Sequence, residues 1–330
     1  MGALTAFIAV IILVLIALVG AGAANLHLLF GVIIPYLAFA TFIIGVVYRV
    51  IKWGRSPVPF RIPTTAGQQN SLSWIKQNKL DNPSTTLGVI GRMGLEVLIF
   101  RSLFRNTRSE LYNGSAFAHR WEKWLWIGSL AFHWSFLIVL VRHFRLFTEP
   151  ALPFLHLIEA FDGFMQIGTP GLFISGIALL GAASYLLFRR FYIPQVRYIS
   201  LTSDYFPLFL IIAIAVSGIL MRYFIKTDIV SAKELIMGLL TFNLIIPKGI
   251  GVIFYIHVFL VSALFAYFPF SKLVHMAGVF LSPTRNLANN SRMKRHINPW
   301  NYPVKVHTYE EYEDDFRAKM KSAEIPVEKE

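Results

Sequence analysis

The chain has no cysteine among its 330 residues. Disulfides, iron–sulfur clusters, thiolate zinc sites and covalently attached c-type haem all need cysteine, so each is excluded. Any redox cofactor must be held by histidine or without covalent attachment. Acidic residues are also few: 18 Asp and Glu stand against 31 Lys and Arg, a formal charge of +13. Such a charge can mark nucleic-acid binding. This chain, however, is 55% hydrophobic with a mean hydropathy of +0.57, and basic residues collect in the cytoplasmic loops of membrane proteins. The expected partner is therefore the lipid bilayer and not nucleic acid. No internal sequence repeat is visible.

What the chain has is long apolar runs, each able to cross about 30 Å of hydrocarbon. The reading is an all-α polytopic membrane protein with six transmembrane helices, since a helix satisfies its backbone polar groups internally. The spans run over about 3–23, 28–50, 124–147, 171–188, 205–224 and 250–274. The first ends in Ala21-Gly22-Ala23, which looks like a signal-peptide cleavage site. It lacks a basic leading region and its apolar run is long, so it is read as a helix.

Four units follow: two N-terminal transmembrane helices (1–51), a basic segment (52–121), a four-helix core (122–275) and a polar tail (276–330). The basic segment carries Lys52, Arg55, Arg61, Lys76, Lys79, Arg92, Arg101, Arg105, Arg108 and Arg120. Arg189, Arg190 and Arg197 follow span four, and Arg285, Arg292, Lys294 and Arg295 follow span six. All three groups fall on one side, which the charge rule assigns to the cytoplasm together with both termini. Arg142, Arg145, Arg222, Lys226, Lys233 and Lys248 fall near the other side and need their own explanation.

Within the basic segment, Leu95, Leu98, Ile99, Leu103 and Phe104 share a helical face beside Arg92, Arg101, Arg105 and Arg108. That pattern predicts an amphipathic helix on the cytoplasmic membrane surface, a docking platform for a partner. The tail is expected to be extended at Asn298-Pro299-Trp300-Asn301-Tyr302-Pro303. Its acidic run, Glu310, Glu311, Glu313, Asp314 and Asp315, is suited to wrap a soluble partner on binding.

The chemistry lies in four histidines. His133 and His143 are on span three, and His257 and His275 on span six. Ionisable groups inside a membrane are costly and mark functional paths. The two spans run antiparallel, so depth pairs His143 with His257 near the outer face and His133 with His275 near the inner. Separations of 10 and 18 residues correspond to about 15 Å and 27 Å of helix. Eighteen residues are five full turns, which puts His257 and His275 on one face; ten are about 2.8 turns, so His133 and His143 differ by about 80°. Two b-type haems stacked across the bilayer, each with two axial histidines, fit this arrangement. A di-metal site would need nearby acids, which these spans lack. His27, His119, His156, His296 and His307 read as interfacial or surface residues. Haem propionates need basic partners, and Arg142 and Arg145 (outer) and Lys272 (inner) are the candidates.

The residues match a family. Phe132-His133 with His143-Phe144 resembles the haem-ligand helix of the respiratory nitrate reductase gamma subunit. His257 with Phe268-Pro269-Phe270-Ser271-Lys272-Leu273-Val274-His275 resembles its last helix. The resemblance covers about spans two to six. It implies a bundle of five plus one N-terminal helix, and a di-haem cytochrome b that exchanges electrons with a quinone. Arg142, where that subunit has Gly, is a departure and puts its quinone contacts in doubt here. Gly91-Arg92-Met93 through Phe100-Arg101-Ser102-Leu103-Phe104-Arg105-Asn106 is more similar to the DsrM-type subunit of sulfite-reduction-associated membrane complexes. That implies a cytoplasmic iron–sulfur partner of the heterodisulfide-reductase type (DsrK). It also implies a multihaem cytochrome c, a periplasmic iron–sulfur protein and a second integral membrane subunit.

The expected function is electron transfer between menaquinone and the cytoplasmic partner in sulfite or sulfate respiration. Arg142, His156, Glu159 and Asp162 are quinone-site candidates at the outer ends of the spans. Without cysteine the chain is not expected to handle the terminal substrate itself. The alternatives are a heterodisulfide reductase cytochrome b using methanophenazine, a structural haem anchor without quinone chemistry, and a transporter with the histidines in a proton path.

Overall fold

The computed structural model describes residues 2–58, 67–112, 116–164, 170–290 and 306–329. Arg61, Arg292, Lys294, Arg295, His296 and the 298–303 stretch lie outside the described residues.

Six helices are long and apolar enough to cross a membrane: Gly2–Ala23, Leu29–Gly54, Lys123–Leu146, Ile174–Tyr192, Thr202–Ile225 and Val252–Phe270. They coincide with the six expected spans to within a few residues. Their outward side chains, such as Leu37 and Ile44, are exposed apolar groups, as expected of surfaces facing lipid. Span three packs on span four, four on five, five on six and six on two, and span one packs against five and six. Spans three and six are not among the closely packed pairs. Histidine rings bridge the space between them.

Three spans loosen into π-helical turns, Leu18–Ala23, Leu29–Ile33 and Leu220–Ile225, all toward the end of the bundle that carries Arg142. In the first two, glycine and proline explain the loosening. Gly20 and Gly22 lie in the first turn, and Pro35, which lacks an N–H, follows the second. His27 Nε2 then bonds the Ala21 carbonyl at 3.0 Å. At this end, two helices the sequence reading did not foresee, Pro153–Asp162 and Ile229–Thr241, cap the connections.

The opposite end, which carries Lys272, differs from expectation in three ways. First, span six does not continue to His275. Pro269 falls in a 3₁₀ turn, Ser271 is extended (φ −115°, ψ 178°), and His275 opens a new short helix, His275–Gly278. The five-turn argument for a shared face of His257 and His275 therefore fails. Second, the basic segment is not a flat surface helix. Helix Thr86–Ile99 ends at Phe100 in the left-handed region (φ 51°). Its terminal carbonyls are taken by two indoles of span three, Trp134 Nε1 to Leu98 O at 2.9 Å and Trp126 Nε1 to Ile99 O at 2.7 Å. Arg92, expected on the polar face, is buried. It donates to the carbonyls of Asp81 at 3.1 Å and Leu287 at 3.2 Å, and to that of Arg285. Third, strands Thr107–Tyr112 and Ala116–Trp121 form an antiparallel hairpin with Ser109 opposite His119. Alternation there was hidden among charges.

Arg92 and the buried Asn82–Asn289 pair (2.7 Å) join the 67–106 stretch to residues 282–290, so the basic segment and the start of the tail form one joined unit. The acidic run lies in helix Tyr309–Ser322, capped by Thr308 and Glu311.

Candidate functional site

Span three presents His133 and His143 toward span six and the segment after it. The ring centroids of His143 and His257 are 6.4 Å apart with planes 11° apart. Those of His133 and His275 are 6.0 Å apart with planes 85° apart. The structure thus brings together the two pairs that depth suggested, even though His275 stands on a separate helical segment. Among the described residues no group of three or more His, Asp or Glu side chains converges as a metal site; the histidines meet in twos.

Each of the four rings is oriented through Nδ1. His133 Nδ1 bonds Ser129 O at 2.8 Å, and His143 Nδ1 bonds Val139 O at 2.6 Å. His275 Nδ1 bonds Lys272 O at 2.8 Å, and His257 Nδ1 bonds Ser217 Oγ at 2.9 Å. A carbonyl only accepts, so the first three rings carry the proton on Nδ1 and keep a lone pair on Nε2. This is the tautomer an imidazole metal ligand needs, with the other nitrogen fixed by an acceptor. The spacing is also that of a shared ion. Two metal–nitrogen bonds of about 2 Å, plus roughly 1 Å from each nitrogen to its ring centre, add to about 6 Å. His133, His143 and His275 are accessible and not sealed in the core, which argues against hydrogen-bonded core histidines.

The charged neighbours are organised around these pairs. Arg142, beside His143, is paired with Asp162 in a nearly buried contact. Asp162 also accepts from Ser175 N at 2.7 Å and Ser175 Oγ at 2.6 Å. The Arg142 and Arg222 guanidiniums both lie over the Phe173 ring, at 3.5 Å and 3.9 Å from its centroid. In each, Nε is buried without a hydrogen-bond partner. Arg145 pairs with Glu159 at 2.7 Å, and His156 is exposed on the same helix as Glu159 and Asp162. Of the quinone-site candidates, Arg142 and Asp162 bind each other, Glu159 binds Arg145, and His156 stands apart. At the other end Lys272 pairs with Asp204 at 2.7 Å and its side chain is largely exposed.

A cavity of about 840 Å³ opens at that end against His275. Arg49, Trp53, Tyr267, Ser271 and Lys272 are in its wall. The Arg49 Nε is buried and unpartnered. Phe100 stands edge-on to His133, centroids 4.9 Å apart. Sequence reasoning gave no site role to Arg49, Phe100, Phe173, Ser217 or Arg222. Only the two arginines carried a signal, being charges within or at the end of apolar spans.

Of the remaining histidines, His27 stacks on Tyr255 (4.7 Å, 13°), His119 contacts Ser109 at 3.2 Å, and His307 lies 3.6 Å from Glu311.

The nitrate reductase gamma subunit family matches residues 93–295. The match takes in the last four spans and begins within the helix before them; span two, which the resemblance was expected to include, lies outside it. The chain is 45% identical over 279 residues to the Hdr-like menaquinol oxidoreductase cytochrome b-like subunit of Archaeoglobus fulgidus, covering 82% of this chain and 83% of that protein. It is 40% identical over 274 residues to the protein of the same description from Archaeoglobus profundus, covering 81% of each. With six apolar helices and these relatives, the chain is a multi-pass membrane protein that belongs to the nitrate reductase gamma subunit family.

Proposed function

We propose that this chain is a di-haem cytochrome b that passes electrons between menaquinone and an iron–sulfur subunit on the cytoplasmic side. The observation that carries the reading is the set of four imidazoles. They face each other in two pairs about 6 Å apart, and each is tied through Nδ1 so that Nε2 is left for iron. Haem b, when bound, supplies a one-electron carrier at each pair. The residues fit that group. His143 and His257 would hold one haem, and His133 and His275 the other. The orphaned guanidinium nitrogens of Arg142 and Arg222 at one end and Arg49 at the other suit propionate carboxylates. Arg145 and Lys272, paired with acids and with no buried orphaned nitrogen, suit them less.

The Lys272 end carries Lys52, Arg55, Arg101, Arg105, Arg189, Arg190 and Arg285, which by the charge rule makes it cytoplasmic. The joined unit of residues 67–106 and 282–290 then faces the partner. Phe100 and Trp126 bring that unit within contact of span three beside His133. The Arg142 end faces outward, and there the buried Arg142–Asp162–Ser175 network suits a menaquinol site next to His143. Menaquinol oxidised there would release two protons outside and two electrons toward the cytoplasmic partner.

The names of the two relatives support menaquinol as the carrier. The absence of cysteine supports a separate subunit for the terminal reduction. The similarity of the 91–106 stretch supports a DsrM-type role in sulfite respiration. A DsrK-like subunit, a multihaem cytochrome c, a periplasmic iron–sulfur protein and a second membrane subunit would complete the complex.

The test is a reduced-minus-oxidised spectrum of the purified complex, with haem counted per chain. Two haems per chain are expected. His143→Ala and His257→Ala should each remove one haem, and His133→Ala and His275→Ala the other. No haem would refute the reading, and one haem would refute the pairing.

A further inference from the structure

Three of the four paired histidines are oriented by a carbonyl of their own segment, and one is not. His133 and His143 use the carbonyl four residues back, and His275 the one three residues back. His257, on span six, uses the hydroxyl of Ser217 on span five at 2.9 Å. Ser217 is buried, 4% exposed. Its hydroxyl also lies 2.9 Å from Ile214 O, to which it donates. A hydroxyl has one proton. With that proton on Ile214 O, it can only accept from the ring. Ser217 therefore fixes the proton on Nδ1 of His257 and frees Nε2, the outcome the other three rings obtain from the backbone. The next residue, Gly218, has no side chain, and its would-be Cβ lies 3.4 Å from His257 Cε1. The ring thus lies along span five and is held by it.

We infer that Ser217 is a positioning residue for His257 that tunes the outer electron carrier independently of the inner one. This rests on the di-haem reading. An acceptor on Nδ1–H makes an imidazole a stronger donor to its metal. A stronger donor favours the oxidised metal and lowers its potential. A neutral serine hydroxyl is a weaker acceptor than a peptide carbonyl. The outer centre thus has one strongly and one weakly supported axial ring, whereas the inner has two strongly supported rings. Because the weak support comes from a neighbouring span, packing of span five on span six is coupled to the potential of one centre only.

The test uses the full chain in its membrane complex, with Ser217→Ala, Ser217→Thr and Ser217→Cys. Haem is counted, both haems are titrated potentiometrically, and the outer one is identified as the band lost in His143→Ala. In Ser217→Ala the outer midpoint potential should rise while the inner stays and both haems are retained. Ser217→Thr, which keeps the hydroxyl, should restore the parental value. Ser217→Cys, a weaker acceptor of similar volume, should give an intermediate rise and serves if the Ala variant loses haem. The Ile214 carbonyl also faces the His257 ring. A downward shift in Ser217→Ala would show that this carbonyl holds the ring proton and would overturn the inference. So would no shift, or an equal shift of both haems. Fewer than two haems in the parental chain would instead overturn the di-haem reading itself.

Discussion

His133 and His275 meet with their ring planes 85° apart, whereas the planes of His143 and His257 are within 11° of parallel. If each pair holds a haem iron as proposed, parallel imidazoles would split the two iron d orbitals of π symmetry toward the rings, and perpendicular ones would leave them nearly degenerate. The oxidised protein should therefore give two distinct low-spin electron paramagnetic resonance signals. The near-axial, large-g signal should vanish in His275→Ala and the rhombic one in His257→Ala. Two identical signals would contradict the geometry.

Removing a half-buried positive charge beside a redox centre favours its oxidised form. On the di-haem reading, Arg222→Met should lower the midpoint potential of the haem held by His143 and His257 and leave the other unchanged. Arg49→Met should do the reverse. Redox titration of the two variants separates these effects, and equal shifts of both centres in either variant would count against the assignment.

The Arg142–Asp162 pair should be costly to break and cheaper to remove whole. Asp162→Ala leaves two guanidiniums over Phe173 without a carboxylate. The expected loss is about 3–5 kcal/mol of stability. The Arg142→Met/Asp162→Ala double variant should lose less than the sum of the single losses, because neither member of the pair is then left without its partner. Thermal unfolding in detergent across the double-mutant cycle measures the coupling.

Arg92→Met should loosen the join between residues 67–106 and 282–290 by on the order of 3 kcal/mol, since three half-buried carbonyls lose their donor. The spans themselves are untouched. Limited proteolysis should accelerate in both stretches while haem content is retained.

Glu313 accepts hydrogen bonds from the backbone N–H groups of Glu328 and Lys329, and those bonds with Arg317 hold its carboxyl below its ordinary value. A lowered folded-state pKa contributes stability above the ordinary value, and that contribution is lost as pH falls through the lowered one. The return of the chain end onto helix Tyr309–Ser322 should therefore open on acidification below the ordinary carboxylate range. Hydrogen exchange of residues 309–329 against pH measures this, and Glu313→Gln should be open already at neutral pH.

Much of this could be read without coordinates. Hydropathy is a local property of the chain and the bilayer a fixed thickness, so six spans could be counted along the sequence. Antiparallel spans then made depth a guide to which histidines could meet. The absence of cysteine ruled out whole classes of cofactor with no geometry at all. Helical phase was a poorer guide. It relied on an unbroken helix from His257 to His275, and Pro269 and Ser271 end that helix, because a residue without an N–H and an extended residue cannot carry the ladder. Only the tertiary structure decided the partners. Asp162 neutralises Arg142, Arg92 is buried against carbonyls nearly 200 residues away in sequence, and Ser217 on span five reaches His257 on span six. Such bonds depend on how helices pack side by side, and nothing in a linear pattern of polar and apolar residues fixes which face meets which neighbour.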